Sequence, residues 1–333
     1  MRDKILTPLA LLAFLAAALP LPAFAAETPL GGTLSVTWEN DMFYSVDRHY
    51  TNGGNITWVP GREVPPPGWL LKPARLLPWF PGEGEIRHGY ALGHSMFTPG
   101  DLGNPDPPLT ERPYAGWLYV TAGLGIKTDR QIDHFWMTAG IVGPASLAEQ
   151  AQETVHRIAG TDMPRGWDTQ LGNEPGFILG WQRSWRELAR ATVLGNALDV
   201  SPHAGGSLGN VFTYANAGVT LRYGSRLPDD LGPPRIQPGN TGGGDFSPVS
   251  GFRWYLFAGV EGRAVARNIF LDGNTFRESR SVDKKPFVGD LQFGLVLDWN
   301  AVRLSYTHIQ RSREFETQDG NDEFGAMTVS VKF

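Results

Sequence analysis

The chain has no cysteine among its 333 residues, so it forms no disulfide and offers no thiol for nucleophilic or metal chemistry. It has no excess of basic residues. The formal net charge is −5 and no run of Lys or Arg appears, which argues against a nucleic-acid partner. Helical periodicity is almost absent, and beyond the N-terminus no stretch reaches the roughly 18–20 apolar residues of a spanning helix. Several catalytic signatures are missing as well. There is no G-x-S-x-G elbow, no H-E-x-x-H, no phosphate loop and no dinucleotide fingerprint. His88, His94, His134 and His203 do not fall at zinc-ligand spacing. Ser95 follows His94, but neighbours on a strand face opposite sides, so the pair does not make a serine nucleophile with its base.

The N-terminus is read as a secretory leader. Arg2 and Lys4 precede an apolar stretch, Ile5 to Leu21, that leads to Ala23-Phe24-Ala25. A positive start, a short apolar segment and an A-x-A site are the marks of a signal peptide, with a retained anchor as the alternative. Residues 1–25 are therefore set apart as the leader, and 26–333 are expected to form one exported domain.

What the rest has is alternation. Runs of period two recur near 33–40, 51–59, 88–97, 115–127, 132–142, 175–186, 191–203, 211–223, 252–265, 286–298, 302–312 and 324–333. Many have the length a tilted strand needs to cross a bilayer. The last alternates Met327, Val329, Val331 and Phe333, a terminal aromatic of the kind read by the barrel-assembly machinery of bacterial outer membranes. Alternation alone fits two folds: a membrane barrel, or a soluble periplasmic sandwich with one polar face. The leader, about twelve strands, the terminal Phe and the Trp and Tyr near strand ends favour an all-β, closed antiparallel transmembrane barrel. The Pro- and Gly-rich stretches 60–86, 98–114 and 224–250 read as loops.

One helix stands out, PASLAEQAQETVHRIAG over 144–160, with its body at about 146–159. Ser146 and Glu149 have capping-box spacing, and Gly160 suits the C-terminal cap. Leu147, Ala151, Val155 and Ile158 form an apolar stripe expected to pack on the barrel. Gln152 and His156 share a polar face at i, i+4. A second polar concentration, ENDMFYSVDRHYTNG over 39–53, crowds Asp, Asn and Gly where a strand pair ordinarily carries β-branched residues. Two readings compete: an ordinary hairpin turn, or side chains lining a site at the strand ends. Glu39 is expected to point away from Asn40.

Five segments in order now resemble the LpxR-type outer-membrane lipid A deacylases: WEND at 38–41, DRHYTNG at 47–53, ERPYAGWLY at 111–119, the helix segment 143–160, and GWDTQLGNEP at 166–175. The resemblance implies a twelve-stranded outer-membrane barrel. It implies removal of the 3′-linked acyloxyacyl chain of lipid A, calcium dependence, and a site between wall and helix near the outer leaflet. By motif, His156 matches the general base, Gln152 its neighbour, and Asn40, Asp41 and Thr51 the strand residues of the calcium and oxyanion site. Two positions depart. The family has Glu where this chain has Asp162, one methylene shorter, and Tyr where it has Pro164.

The expected chemistry is ester hydrolysis by a His156-activated water, with Asn40 and Gln152 assisting. Calcium, held by Asp41, Asp162 and Thr51, would polarise the carbonyl. Arg112 is a candidate for an anionic head group, or equally a structural loop pair. Trp167 and Tyr114 are expected to anchor loops. The expected partners are lipid A or lipopolysaccharide, outer-membrane lipids and the assembly machinery. The rivals are a non-catalytic barrel, as a pore or structural protein, and an outer-membrane phospholipase.

Overall fold

A computed structural model describes residues 31–40, 49–228, 230–232 and 246–333; for residues 49–51 and Ala159 it describes the backbone alone. The leader and Asp41 lie outside the described residues. The strands are β1 (Gly32–Asn40), β2 (His49–Pro60), β3 (Glu85–Thr98), β4 (Ala115–Lys127), β5 (Gln131–Val142) and β6 (Glu174–Trp185). They continue as β7 (Ala189–Val193), β8 (Asn196–Gly209), β9 (Phe212–Gly224), β10 (Phe252–Asn268), β11 (Phe287–Trp299), β12 (Val302–Arg311) and β13 (Asp322–Lys332). β13 pairs back onto β1, and β6 pairs with β8, all antiparallel. Twelve strands thus close a barrel, and β7 hangs from β8 outside the ring. Closure gives every ring strand a partner on both edges, as a span in lipid requires.

The side chains show which solvent each face meets. Along the ring Ile56, Leu92, Val120, Leu179, Leu256 and Val260 are exposed on the outer face. Inside, polar side chains bond across the strands. Ser35 donates to Ser330 at 2.7 Å, and hydroxyl pairs join Thr37 to Thr328 at 2.9 Å and Thr121 to Thr138 at 2.8 Å. Apolar outside and polar inside is the pattern of a membrane barrel, and it overturns the sandwich. At the end where β1 starts and β13 finishes the bore is filled by ions: Arg303 bonds Asp298 at 2.6 Å and Asp230 at 2.8 Å, and Arg222 bonds Asp199 at 2.7 Å. At the far end it is filled by Phe97, Trp117, Tyr119 and Phe270, with Phe97 stacked on Phe270 at 3.8 Å.

Two expectations need correction. The run 191–203 is not one strand: Leu194 and Gly195 take positive φ (50° and 78°) and turn the chain, so the ring strand is β8. Both arms of a hairpin alternate, so the turn is invisible to periodicity. The stretch 60–86 is not all loop. It holds α1 (Gly68–Arg75), preceded by Pro67 at φ −64°. Leu70 and Ala74 of α1 pack against outward-facing Leu124 and Phe135, while Trp69 and Trp79 stay exposed. With Lys72 and Arg75 on the same short helix, this matches a segment lying in a membrane interface. The helix expected at 146–159 is α2 (Ala148–Ala159), and a single turn, α3 (Ile269–Asp272), caps β10.

Candidate active site on the outer wall of the barrel

α2 docks on the outside of the barrel, where the sequence leaves room for it. On β4, Gly116 has no side chain, and a Cβ there would lie 2.1 Å from Ser146 Oγ and 2.3 Å from Ala148 Cβ. Register puts Gly116 on the outer face, opposite Met96, which pairs with Asn52. Ala148, Gln152 and His156, one turn apart, all turn to the wall and are buried, Gln152 to 2% and His156 to 3% exposure. Leu147 is 57% exposed and Ile158 is exposed too. The expected packing is therefore reversed: the polar stripe is against the wall and part of the apolar stripe faces outward. The physical reason is the solvent. Beside lipid, the apolar residues are the ones that gain by facing out.

The helix start also differs from expectation. The Ser146–Glu149 capping box does not form. Residues 144–146 make one 3₁₀ turn, Leu147 takes a left-handed backbone at φ 62°, and no side chain caps the first amides. Gly160 closes the far end at φ 67°, as its position predicts.

Around the polar pair the geometry is specific. Trp167 Nε1 donates to Gln152 Oε1 at 2.7 Å, and the Trp167 ring packs on Tyr114 at 4.9 Å, so both aromatics anchor loops as expected. Gln152 Nε2 makes no hydrogen bond to protein. His156 Nδ1 lies 2.6 Å from the main-chain oxygen of Asp162. A carbonyl only accepts, so Nδ1 carries the hydrogen and Nε2 is the basic nitrogen. Asp162 thus meets His156 through its backbone, while its side chain is exposed.

Below the helix a groove of about 730 Å³ runs down the outer wall. Trp38, Ile56, Leu92, Leu118, Val155 and Met327 line it, so strands β1–β4 and β13 and the outer flank of α2 share one apolar surface. Asn40 and Asn52 are cross-strand partners on β1 and β2, both buried, and Asn52 lines the groove. Glu39, by contrast, is buried on the inner face, as predicted. Thr51 sits where the β2–β3 register slips, between Tyr50 and Asn52.

Calcium takes six to eight oxygen ligands. Among the described residues no three His, Asp or Glu are grouped to share a metal. Asn40 and Asn52 bring amide oxygens only, so a hard cation here needs carboxylates from elsewhere: that of Asp41, which follows Asn40 in sequence and lies outside the described residues, and that of Asp162. The donor chemistry fits calcium on that condition.

Arg112 is not brought to this groove. It is 1% exposed, stacks over inward-facing Phe97 at 5.0 Å and reaches Glu314 at 3.5 Å. Burial lowers its pKa, with Glu314 opposing the shift. Its geometry is that of a structural pair. Sequence reasoning missed the wall itself: Asn52, His94 and Ser146 line the groove. The segment 39–53 contained the first, but nothing in a single sequence marks which strand residues a distant helix will cover.

Fold and site together define a membrane-spanning β-barrel with a polar cluster held under a helix on its lipid-facing wall. The chain belongs to the family described as outer membrane protein LpxR, which matches residues 9–333. It is accordingly an outer membrane protein. LpxR from Salmonella typhimurium shares the fold with a TM-score of 0.75 at 18% identity, over 90% of this chain and 100% of that one. The β domain of the Bordetella autotransporter Brka gives a TM-score of 0.42 at 11% identity, over 91% of this chain and 100% of that one. An outer membrane channel from Pseudomonas putida F1 gives 0.40 at 10% identity, over 94% and 99%. No curated protein matches.

Proposed function

We propose that this protein is a calcium-dependent lipid A deacylase that removes the 3′-linked acyloxyacyl chain in the outer leaflet. The observation that carries the reading is His156, buried with its Nδ1 bonded to the Asp162 carbonyl, above an apolar groove that opens toward lipid. The groove's volume falls in the range of ligand-binding clefts. An ester whose chain lies along Leu92 and Ile56 has its polar end toward Asn52, Gln152 and His156.

In the proposed reaction His156 Nε2 takes a proton from water as the water oxygen bonds to the ester carbonyl carbon. The imidazolium then returns that proton to the departing sugar oxygen, giving a free carboxylic acid and a sugar hydroxyl. The amides of Asn40 and Gln152 donate to the oxygen on which negative charge develops. Calcium, held by Asp41, Thr51 and Asp162, would supply Lewis-acid polarisation of the carbonyl.

The test is mass spectrometry of lipid A from cells producing this chain or His156→Ala. Loss of one acyloxyacyl unit only with His156 intact supports the reading. Acyl release from glycerophospholipids instead would favour the phospholipase. No release from either lipid by barrel present in the outer membrane would favour a non-catalytic protein.

A further inference from the structure

The groove is apolar except for a few side chains, and two of these have no part in the reaction above. His94 is on the outer face of β3, between Gly54 of β2 and Leu118 of β4. Its ring meets the main chain at Ser146, and its Nε2 has no protein hydrogen bond. Ser146, at the end of the 3₁₀ turn, is 1% exposed and its Oγ likewise has no protein partner. Both line the groove. Gly116 directly beneath Ser146 and Gly54 beside His94 leave their polar atoms uncovered by neighbouring side chains.

A buried hydroxyl or ring nitrogen without a partner costs roughly 1–3 kcal/mol, and on a lipid-facing wall bulk water does not relieve it. Two such groups close together in an apolar channel match a ligand that is itself mostly apolar and carries a single oxygen part-way along. We propose that His94 and Ser146 form a specificity anchor for acyl chains bearing a hydroxyl or acyloxy oxygen near the carbonyl, and that the groove discriminates by this contact against unsubstituted chains. The Ser146 hydroxyl donates to that oxygen, whether hydroxyl or acyloxy, and His94 Nε2 accepts from a chain hydroxyl. These are positioning residues and they touch no reacting atom. The inference rests on reading the groove as an acyl site but requires no hydrolysis, so it is tested by binding.

Full-length protein in detergent micelles is titrated with tetradecanoyl methylamide and with its 3-hydroxy counterpart. Each competes with a brominated tetradecanoyl methylamide whose quenching of Trp38 reports occupancy; Trp38→Phe identifies the signal. The 3-hydroxy chain is expected to compete at a roughly tenfold lower concentration, the ratio one net hydrogen bond supplies. In Ser146→Ala and in His94→Phe the ratio between the two chains' competing concentrations falls toward one. Equal affinities in the unaltered protein overturn the proposal. So does a preference that survives in both variants, or an equal loss for both chains, which marks a structural role. If neither chain displaces the probe, the acyl-site reading itself falls, a result distinct from displacement without preference.

Discussion

At the scale of residues, the site depends on a division of labour within Asp162. Its carbonyl fixes His156, and its side chain is free to serve another role. Asp162→Asn keeps the carbonyl, so under the proposed mechanism His156 is expected to stay oriented while the proposed calcium ligand loses its charge. The calcium concentration for half-maximal deacylation should rise at least about tenfold, with the rate at saturating calcium within about threefold of the original. Titrating activity against calcium checks this; an equal fall at all concentrations would assign Asp162 elsewhere. Chelation by EDTA is expected to abolish release and added calcium to restore it, and full activity in EDTA would remove the metal from the proposal. Trp167→Phe strands the buried Gln152 oxygen at a cost of roughly 1–3 kcal/mol. The expected result is a folded barrel with kcat lowered at least about tenfold, measured on purified protein. His156 and Gln152 were legible in the sequence because i, i+4 spacing fixes a shared helix face. Arg112 was not, because nothing local says whether a loop cation turns into the bore or toward the wall.

At the scale of elements, strands were legible and the helix's orientation was not. Period-two alternation persists through the ring, so its strands were found to within a few residues, except β8, which the expected run 191–203 merged with β7. α2 also has a clear period, but assigning its apolar stripe to the barrel assumed water as the solvent. Lipid reverses that choice, and the polar pair moves to the wall. What admits α2 is Gly116, one of 41 glycines and not set apart from the others by anything around it in the chain. Gly116→Val is expected to push Ser146 and Ala148 off the wall and carry His156, two turns along the same helix from Ala148, out of place. Deacylation should fall by at least about a hundredfold, the scale of a misplaced base. The barrel itself should persist, because the ladder of β4 needs no side chain there. Retained heat-modifiable mobility on gels together with lost activity meets the expectation; retained activity would show that α2 tolerates displacement.

At the scale of the whole molecule, the two ends of the barrel have separate tasks. The site and its aromatic plug lie at the far end, and the ionic plug lies where β1 starts and β13 finishes. In the ionic plug Arg303, stacked over Phe246 at 4.8 Å, bridges Asp298 and Asp230, which Arg253 and Arg222 also hold. Desolvated charges of both signs hold Asp230 in the bore, with Phe246 packed beside them. Removing one member leaves carboxylates buried with less compensation, which costs about 3–5 kcal/mol. Arg303→Met should therefore lower the unfolding temperature of the detergent-solubilised barrel clearly. Below that temperature deacylation should be unchanged, since the groove is at the other end and on the other face. The same variant addresses the pore reading. If the filled bore is what denies passage, the unaltered protein conducts no ions across a planar bilayer and Arg303→Met, with one plug loosened and the Phe97–Phe270 plug intact, still conducts none. Steady ion conductance by the unaltered protein would instead make the barrel a channel and leave the outer groove without a catalytic claim.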